Sequence, residues 1–336
     1  MSRISLVYGG CDYWDRTRPL IDGRVRPEGI DLTFVTINPD DLGRRCLFGA
    51  EFAACEMYAV SYMILRARGD DRFVGLPIFP SRTFRHHNIF LRSDAGIEEP
   101  NDLRGKRIGI AQYSNTASVW ARAALQHDYD VAPTSIEWVE GGFVVPGTRN
   151  GHADIEFPPG LHVSRNDTEP LEELLLGGRL DGLIHYGQPR AFTAGDPRVV
   201  RLFPNSREVE RAYFVRTGLF PIMHVVVLRR EVYERHPWMA NSLVAAFSEA
   251  KAMAARRLHD TSAIAAPLPW LSDDLDEIAS LFADAPFHGD PFPYGFEANH
   301  ATLDTMTTYL REQGLTSGKL DPRTLFAPQT LIAPLS

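Results

Sequence analysis

Lysine is almost absent from this chain. Lys106, Lys251 and Lys319 are the only three among 336 residues, while arginine supplies the rest of the 35 basic positions. That leaves little for Schiff-base chemistry and much for carboxylate recognition, because guanidinium offers paired donors. Cysteine is scarce too: Cys11, Cys46 and Cys55 lack C-x-x-C spacing. An odd, scattered set gives neither a disulfide framework nor a zinc site, and fits a reducing compartment. No stretch of about 18 apolar residues occurs, so no membrane span is expected. The start, MSRISLVYGG, lacks a basic region followed by a long apolar one, and a cytoplasmic protein is expected. G-x-G-x-x-G after a strand, Walker A, G-x-S-x-G and H-E-x-x-H are all missing. Most nucleotide, dinucleotide, serine-hydrolase and zincin readings go with them, and neither cofactor nor metal is expected. Excess positive charge is lacking as well: 35 Lys+Arg against 43 Asp+Glu give a net charge of −8. Nucleic acid and anionic membranes are therefore disfavoured as partners. A small anion remains compatible, since a binding site is local.

What is present is an ordinary globular composition, 44% hydrophobic and 23% charged, on a chain long enough for two cores. Strand-like runs ISLVYG (4–9), IDLTFVTI (30–37), AACEMYA (53–59) and FVGLPIFP (73–80) alternate with helical spacing at 41–48 and 60–68. The pattern then repeats with RIGIA, the helix after SNTAS, IEWVEG, PLEELLLGG, LDGLIHYG and RVVRLFP, covering 107–203. A helix closing at Gly218 follows. Helical spacing dominates the last third (230–236, 238–258, 273–283 and 297–312) and offers a surface for a homodimer. Alternating strands and helices argue for parallel α/β sheets. Two such sets, linked by strands near 87–92 and 222–228, are the layout of a two-lobed, type 2 periplasmic-binding-protein-like fold. Lobe I is expected to comprise 1–90 plus 220–336 and lobe II 91–219, with the ligand cleft between them. The rival is one doubly wound domain with a helical cap.

Four segments carry chemistry. CDYWDRTRPL (11–20) follows the first strand, where ligand loops of open α/β sheets sit. Arg16 and Arg18 there could form a carboxylate fork beside Asp12 and Asp15; the bland alternative is a salt-bridged surface loop. FPSRTFRHHN (79–88) gathers Arg82, Arg85, His86 and His87, suited to holding an anion beside a proton-transfer group. PIMHVV sets His224 alone in an apolar strand, which by itself reads as a core histidine. In the two-lobed layout, His86 and His224 should share one cleft wall, with His87 turned away by strand alternation. QYSNTASVW places Tyr113, Ser114, Asn115 and Thr116 at a helix start, either an anion site or plain capping. Glu56 ends the third strand as a cleft carboxylate or a surface residue.

Taken together these segments resemble the 4,5-dihydroxyphthalate decarboxylase family. The matching stretches are CDYWDRTRPLIDGRVRPEGIDL, CEMY, PIFPSRTFRHHNIF, LRGKRIGIAQYSNTASVWARAAL, RLFPN, TGLFPIMHVVVLR, PYGFEANHATL and QGL, in order along nearly the whole chain. There are two departures. QYSNTA stands where the family has E-Y-Q-M-T-A, and Phe292 takes the tryptophan's place in W-P-Y-G. The resemblance implies a binding-protein fold turned into an enzyme, with cofactor-independent decarboxylation of a hydroxylated aromatic carboxylic acid. For such a substrate, His86 and His224 would transfer protons, and Glu56 or Asp12 would orient them. Arg16, Arg18, Arg82 and Arg85 would hold carboxylates. The alternatives are a non-catalytic carboxylate-binding protein and another lyase or dehydratase acting on a polyketide-derived acid. A thiamin-precursor pyrimidine synthase would need a pyridoxal-binding lysine and a cysteine-rich iron motif, against which the scattered lysines and cysteines speak.

Overall fold

Buried strands have to be covered on both faces, and the apolar runs sort themselves into two sheets accordingly. The computed structural model describes residues 3–147, 151–260, 262 and 266–332. It divides into two compact units, Met1–Arg82 with Ile222–Asp304 and Leu320–Ser336, and Thr83–Pro221 with Thr305–Lys319.

The first unit is built on β1 (Ile4–Gly10), β2 (Ile30–Thr36), β3 (Ala54–Tyr58) and β4 (Phe73–Leu76). β1 runs parallel to β2 and β3. Along β1, Leu6 and Tyr8 enter the core while Ser5 and Val7 face out, the two-residue alternation of a strand. Against them packs the helix Met239–His259, whose Met239, Leu243, Phe247 and Ala250 recur at helical spacing in the same apolar cluster.

The second unit carries β5 (Ile89–Arg92), β6 (Arg107–Ile110), β7 (Glu137–Gly141), β8 (His162–Asn166), β9 (Gly182–Ile184) and β10 (Val199–Arg201). They lie in the order β10-β5-β9-β6-β7-β8. Phe90 and Leu183 on this sheet pack against Leu171, Leu174 and Leu175 of the helix Leu171–Leu176.

A two-lobed α/β fold is what the strand grammar anticipates; several particulars differ. The strands near 87–92 and 222–228 do not merely link the lobes. β11 (His224–Arg229) lies antiparallel between β3 and β4, and β5 lies antiparallel between β9 and β10. Their apolar side chains need neighbours on both sides, which only a sheet interior supplies. The units break at 82/83 and 221/222, and residues 305–319 group with the second, whereas lobe I was expected to hold all of 220–336. The helix expected over 41–48 is a 3-10 turn at Pro39–Asp41 followed by a π-helical turn at Gly43–Phe48. β8 went unnoticed because HVSRN, at a sheet edge and mostly solvent-facing, shows no apolar alternation. Among the described residues no helix is long and apolar enough to cross a membrane.

Candidate active site

β1 ends in Gly9 and Gly10, where a side chain would run into Phe52 and Ile37 or into the Tyr8 ring. The chain then continues with Cys11 buried, Asp12 exposed and Tyr13 turned back inward. Glu56 sits mid-strand on β3 with 0% exposure, opposite Val226 of β11. His224 lies two positions along β11, opposite Tyr58, which is the diagonal neighbour on the same sheet face. These backbone positions bring four side chains to one point.

Glu56 is the centre. Its Oε1 accepts from the Tyr13 hydroxyl at 2.7 Å and lies 2.5 Å from His224 Nδ1. Its Oε2 accepts the Cys11 backbone N–H at 2.9 Å. Burial pushes the carboxyl pKa up, but the His224, Cys11 and Tyr13 donors outweigh it and hold the pKa below the usual range. Glu56 is thus an anion. The proton on His224 Nδ1 is assigned from its carboxylate partner, and Nε2 is then the nitrogen not engaged with Glu56. Burial, then the Glu56 charge, raises both the Cys11 thiol and the Tyr13 phenol, so each keeps its proton at neutral pH. Among the described residues, Cys11, Glu56 and His224 also bring potential metal-ligand atoms within 4.8 Å of one another. A cation there would have to displace the thiol proton and the donors that already occupy Glu56.

Positive charge stands beside this cluster. Arg16 pairs with Asp15 and donates from Nε to the Pro80 carbonyl at 2.6 Å. Its guanidinium lies 4.6 Å from the Tyr13 ring centroid and 4.1 Å from that of Phe292. Lys251 pairs with Asp290 and donates to the Phe292 carbonyl at 2.7 Å. Arg82 is buried, and burial lowers its pKa to about 9, so it remains a cation at neutral pH.

The other expected residues have partners of their own. Arg18 points to solvent and pairs with Asp12, so Arg16 and Arg18 form no fork and Asp12 does not orient His224. Removing the pair should be nearly silent: Arg18→Ala is expected to change stability by less than about 1 kcal/mol, read from urea melts, and kcat not at all. Arg85 belongs to the second unit, where it donates to Asn88 at 3.0 Å and the Tyr186 carbonyl at 3.1 Å. Asn115 caps the helix Thr116–Tyr129 by accepting from the Ala117 and Ser118 N–H groups. Ser114 donates to the Ala153 carbonyl, and Tyr113 stacks on Arg122, 3.6 Å from its ring centroid. Thr116 is buried beside them. The helix start is therefore engaged by the chain itself, because Asn115 takes the donors an anion would use.

His86 is buried in the second unit between Phe203 and Tyr213. It lies in a 3-10 turn, not on a strand, so alternation does not separate it from His87. Both face Glu210, with His86 Nδ1 at 4.0 Å and His87 Nδ1 at 2.7 Å. Burial dominates and lowers the His86 pKa. The unfolded chain takes up that proton near pH 6.5 while the folded chain resists it, so stability falls as pH drops below about 6.5. His86→Phe should flatten this acid-side loss between pH 7.5 and 5.5 in urea melts; parallel slopes would contradict it.

Cys11, Tyr13, Lys251 and Asp290, which stand in or beside this cluster, were not singled out from sequence. For the first two a signal existed: in an extended segment Cys11 and Tyr13 share the side opposite Asp12, one residue off the choice made from charge.

No family model matches the chain. It is 37% identical over 332 residues to a 4,5-dihydroxyphthalate decarboxylase of Comamonas testosteroni, covering 98% of each. It is 38% identical over 204 residues to a 4,5-dihydroxyphthalate decarboxylase of Pseudomonas putida, 60% of this chain and 78% of that one. Among solved structures it is similar to the periplasmic aliphatic sulphonate binding protein SsuA of Escherichia coli. The TM-score is 0.55 at 13% identity, over 99% of this chain and 100% of that one. The desulfurization enzyme DSZB gives 0.53 at 16% identity over 98% of both. At such identities these two likenesses establish the fold alone.

Proposed function

The chain belongs to the 4,5-dihydroxyphthalate decarboxylase family and is a lyase that decarboxylates a hydroxylated aromatic acid; on that premise we propose that Glu56, His224, Tyr13 and Arg16 carry the reaction. The observation that supports this reading is the buried Glu56 anion holding His224 by Nδ1, with a cation stacked on the adjoining Tyr13 ring.

In its protonated form, His224 passes the Nε2 proton to the ring carbon that bears the leaving carboxylate. A ring hydroxyl para or ortho to that carbon stabilises the resulting cation. The carbon–carboxylate bond then breaks, its electron pair restores the aromatic ring, and carbon dioxide departs. One proton is consumed, and water returns it to His224. Glu56 steadies the imidazolium, as a preorganised charge does in a site shielded from water. Arg16, fixed between two rings, offers its guanidinium to a substrate carboxylate. Tyr13 keeps its proton and holds Glu56 in place. The three cysteines are free and buried, which suits a cytoplasmic setting.

Incubation with a panel of hydroxylated aromatic acids in deuterium oxide tests the scheme. One carbon dioxide should appear per acid consumed, with one deuterium on the vacated ring carbon. Binding without gas release would return the chain to a solute receptor.

A further inference from the structure

We infer that the reaction site opens into an apolar compartment that receives a hydrophobic substituent, so that the preferred substrates are hydroxylated aromatic carboxylates bulkier than a bare single ring. This rests on the reading that the Glu56 cluster is the reaction site. The first unit contains a cavity of about 1070 Å³, bordered by the helices Met239–His259 and Leu271–Leu281 and by residues 285–298. About 150 Å³ is enough to hold benzene, and whole small-molecule sites run to roughly 1,000 Å³. A single-ring acid would leave most of this space unfilled.

The cavity is graded from charged to apolar. Arg16 and Lys251 stand at one end with their partners Asp15 and Asp290. Arg16 stacks on Tyr13, whose hydroxyl donates to Glu56 and lies 3.3 Å from His224 Nδ1, so Tyr13 stands between the charged end and the proposed proton donor. Elsewhere the wall is mostly apolar, with Leu258, Leu275, Ile278 and Pro286 beside His259, His288 and Glu297, and alanines such as Ala255 and Ala279 leave the space open.

Two further features call for an occupant. Ser248 and Tyr294 line the cavity, and their buried hydroxyls have no hydrogen-bond partner. Buried hydroxyls are ordinarily satisfied, and a bound molecule or water would supply what they lack. The helix Leu271–Leu281 repeats Leu271, Leu275, Ile278 and Leu281 at helical spacing, yet none of its residues is fully buried. Such a stripe normally faces a core. An apolar group lying between the two helices would cover it, with the carboxylate directed at Arg16.

The test compares catechol-type ring carboxylates bearing hydrogen, propyl or phenyl, measuring kcat/KM for carbon dioxide release and, by calorimetry, Kd. The wild-type protein should favour the phenyl-bearing acid over the unsubstituted one by at least about tenfold. Ala255→Phe and Ala279→Phe, which narrow the cavity, should each remove most of that preference and leave the unsubstituted acid within about twofold. Should either variant fold poorly, Ser248→Ala provides the second arm, with weaker binding of the phenyl-bearing acid expected. A wild-type preference for the bare ring, or equal losses on all three acids, would overturn the inference while leaving the decarboxylase reading intact. Tight binding of the phenyl-bearing acid with no gas from any acid would instead overturn the assignment of the reaction to Glu56 and His224, and the cavity would stand as a binding site.

Discussion

His224→Asn is expected to lower kcat for carbon dioxide release by about 10²-fold or more while moving the urea midpoint little. Asparagine keeps a donor that can reach Glu56 Oε1, so the carboxylate stays satisfied and the strand pair β3–β11 stays closed. What it removes is a group able to carry a proton on the nitrogen that faces away from Glu56. KM should change less than kcat, because a proton delivered to the ring carbon acts in the transition state and not in ground-state binding. Turnover within about threefold of the parent would make His224 a packed core histidine, the reading its apolar strand invites.

Glu56→Ala should be the most destabilising single change in the site, by about 3–5 kcal/mol at pH 7, and should abolish turnover. The side chain is 0% exposed, and its loss would leave the Cys11 N–H, the Tyr13 hydroxyl and His224 Nδ1 buried without their acceptor. Glu56→Gln keeps the shape and one acceptor oxygen, so it should cost less stability but still lose most activity. The sign of the pH dependence follows from the depressed carboxyl pKa. Stabilisation by Glu56 is fully present above the unfolded value near 4.3 and is lost as pH falls through the lower folded value. The gap between wild type and Glu56→Ala in urea melts should therefore narrow below about pH 4. A gap that is small at pH 7 would show that the three donors find other partners.

The fold was largely legible because its signals are local. The short apolar run at 4–9, the apolar runs in β3 and β11, and helical spacing over 238–258 are each read from sequence alone, and each is the element found. Where the reading failed, no local signal existed: a polar edge strand at His162–Asn166, and two strands whose place inside a sheet depends on distant neighbours. Of the residues singled out from sequence, Glu56, His224 and Arg16 are brought together by the structure around Tyr13. Asp12, Arg18 and Arg85 were chosen for their charge. Asp12 and Arg18 pair with each other, as the salt-bridged reading of their loop allowed. Arg85 meets the Asn88 side chain and the Tyr186 carbonyl, the latter a partner that only the fold brings near. Cys11 and Tyr13 were passed over because neither looks like a carboxylate partner until β1 and β3 are side by side. Lys251 and Tyr294 lie 235 and 278 residues beyond Arg16, and nothing in their own segments points to it.

The steady-state rate of carbon dioxide release by the double variant Glu56→Gln/His224→Asn, set beside the two single variants and the wild type, tests the central assignment most directly. Residues acting as one unit are not additive, and the second removal should cost little once the first has been made. The expected result is a wild type that releases one carbon dioxide per hydroxylated aromatic acid, two single variants each slowed by about 10²-fold or more, and a double variant no slower than the worse of them. Single losses that multiply in the double variant, or a double variant within about threefold of wild type, would place the chemistry elsewhere in the chain.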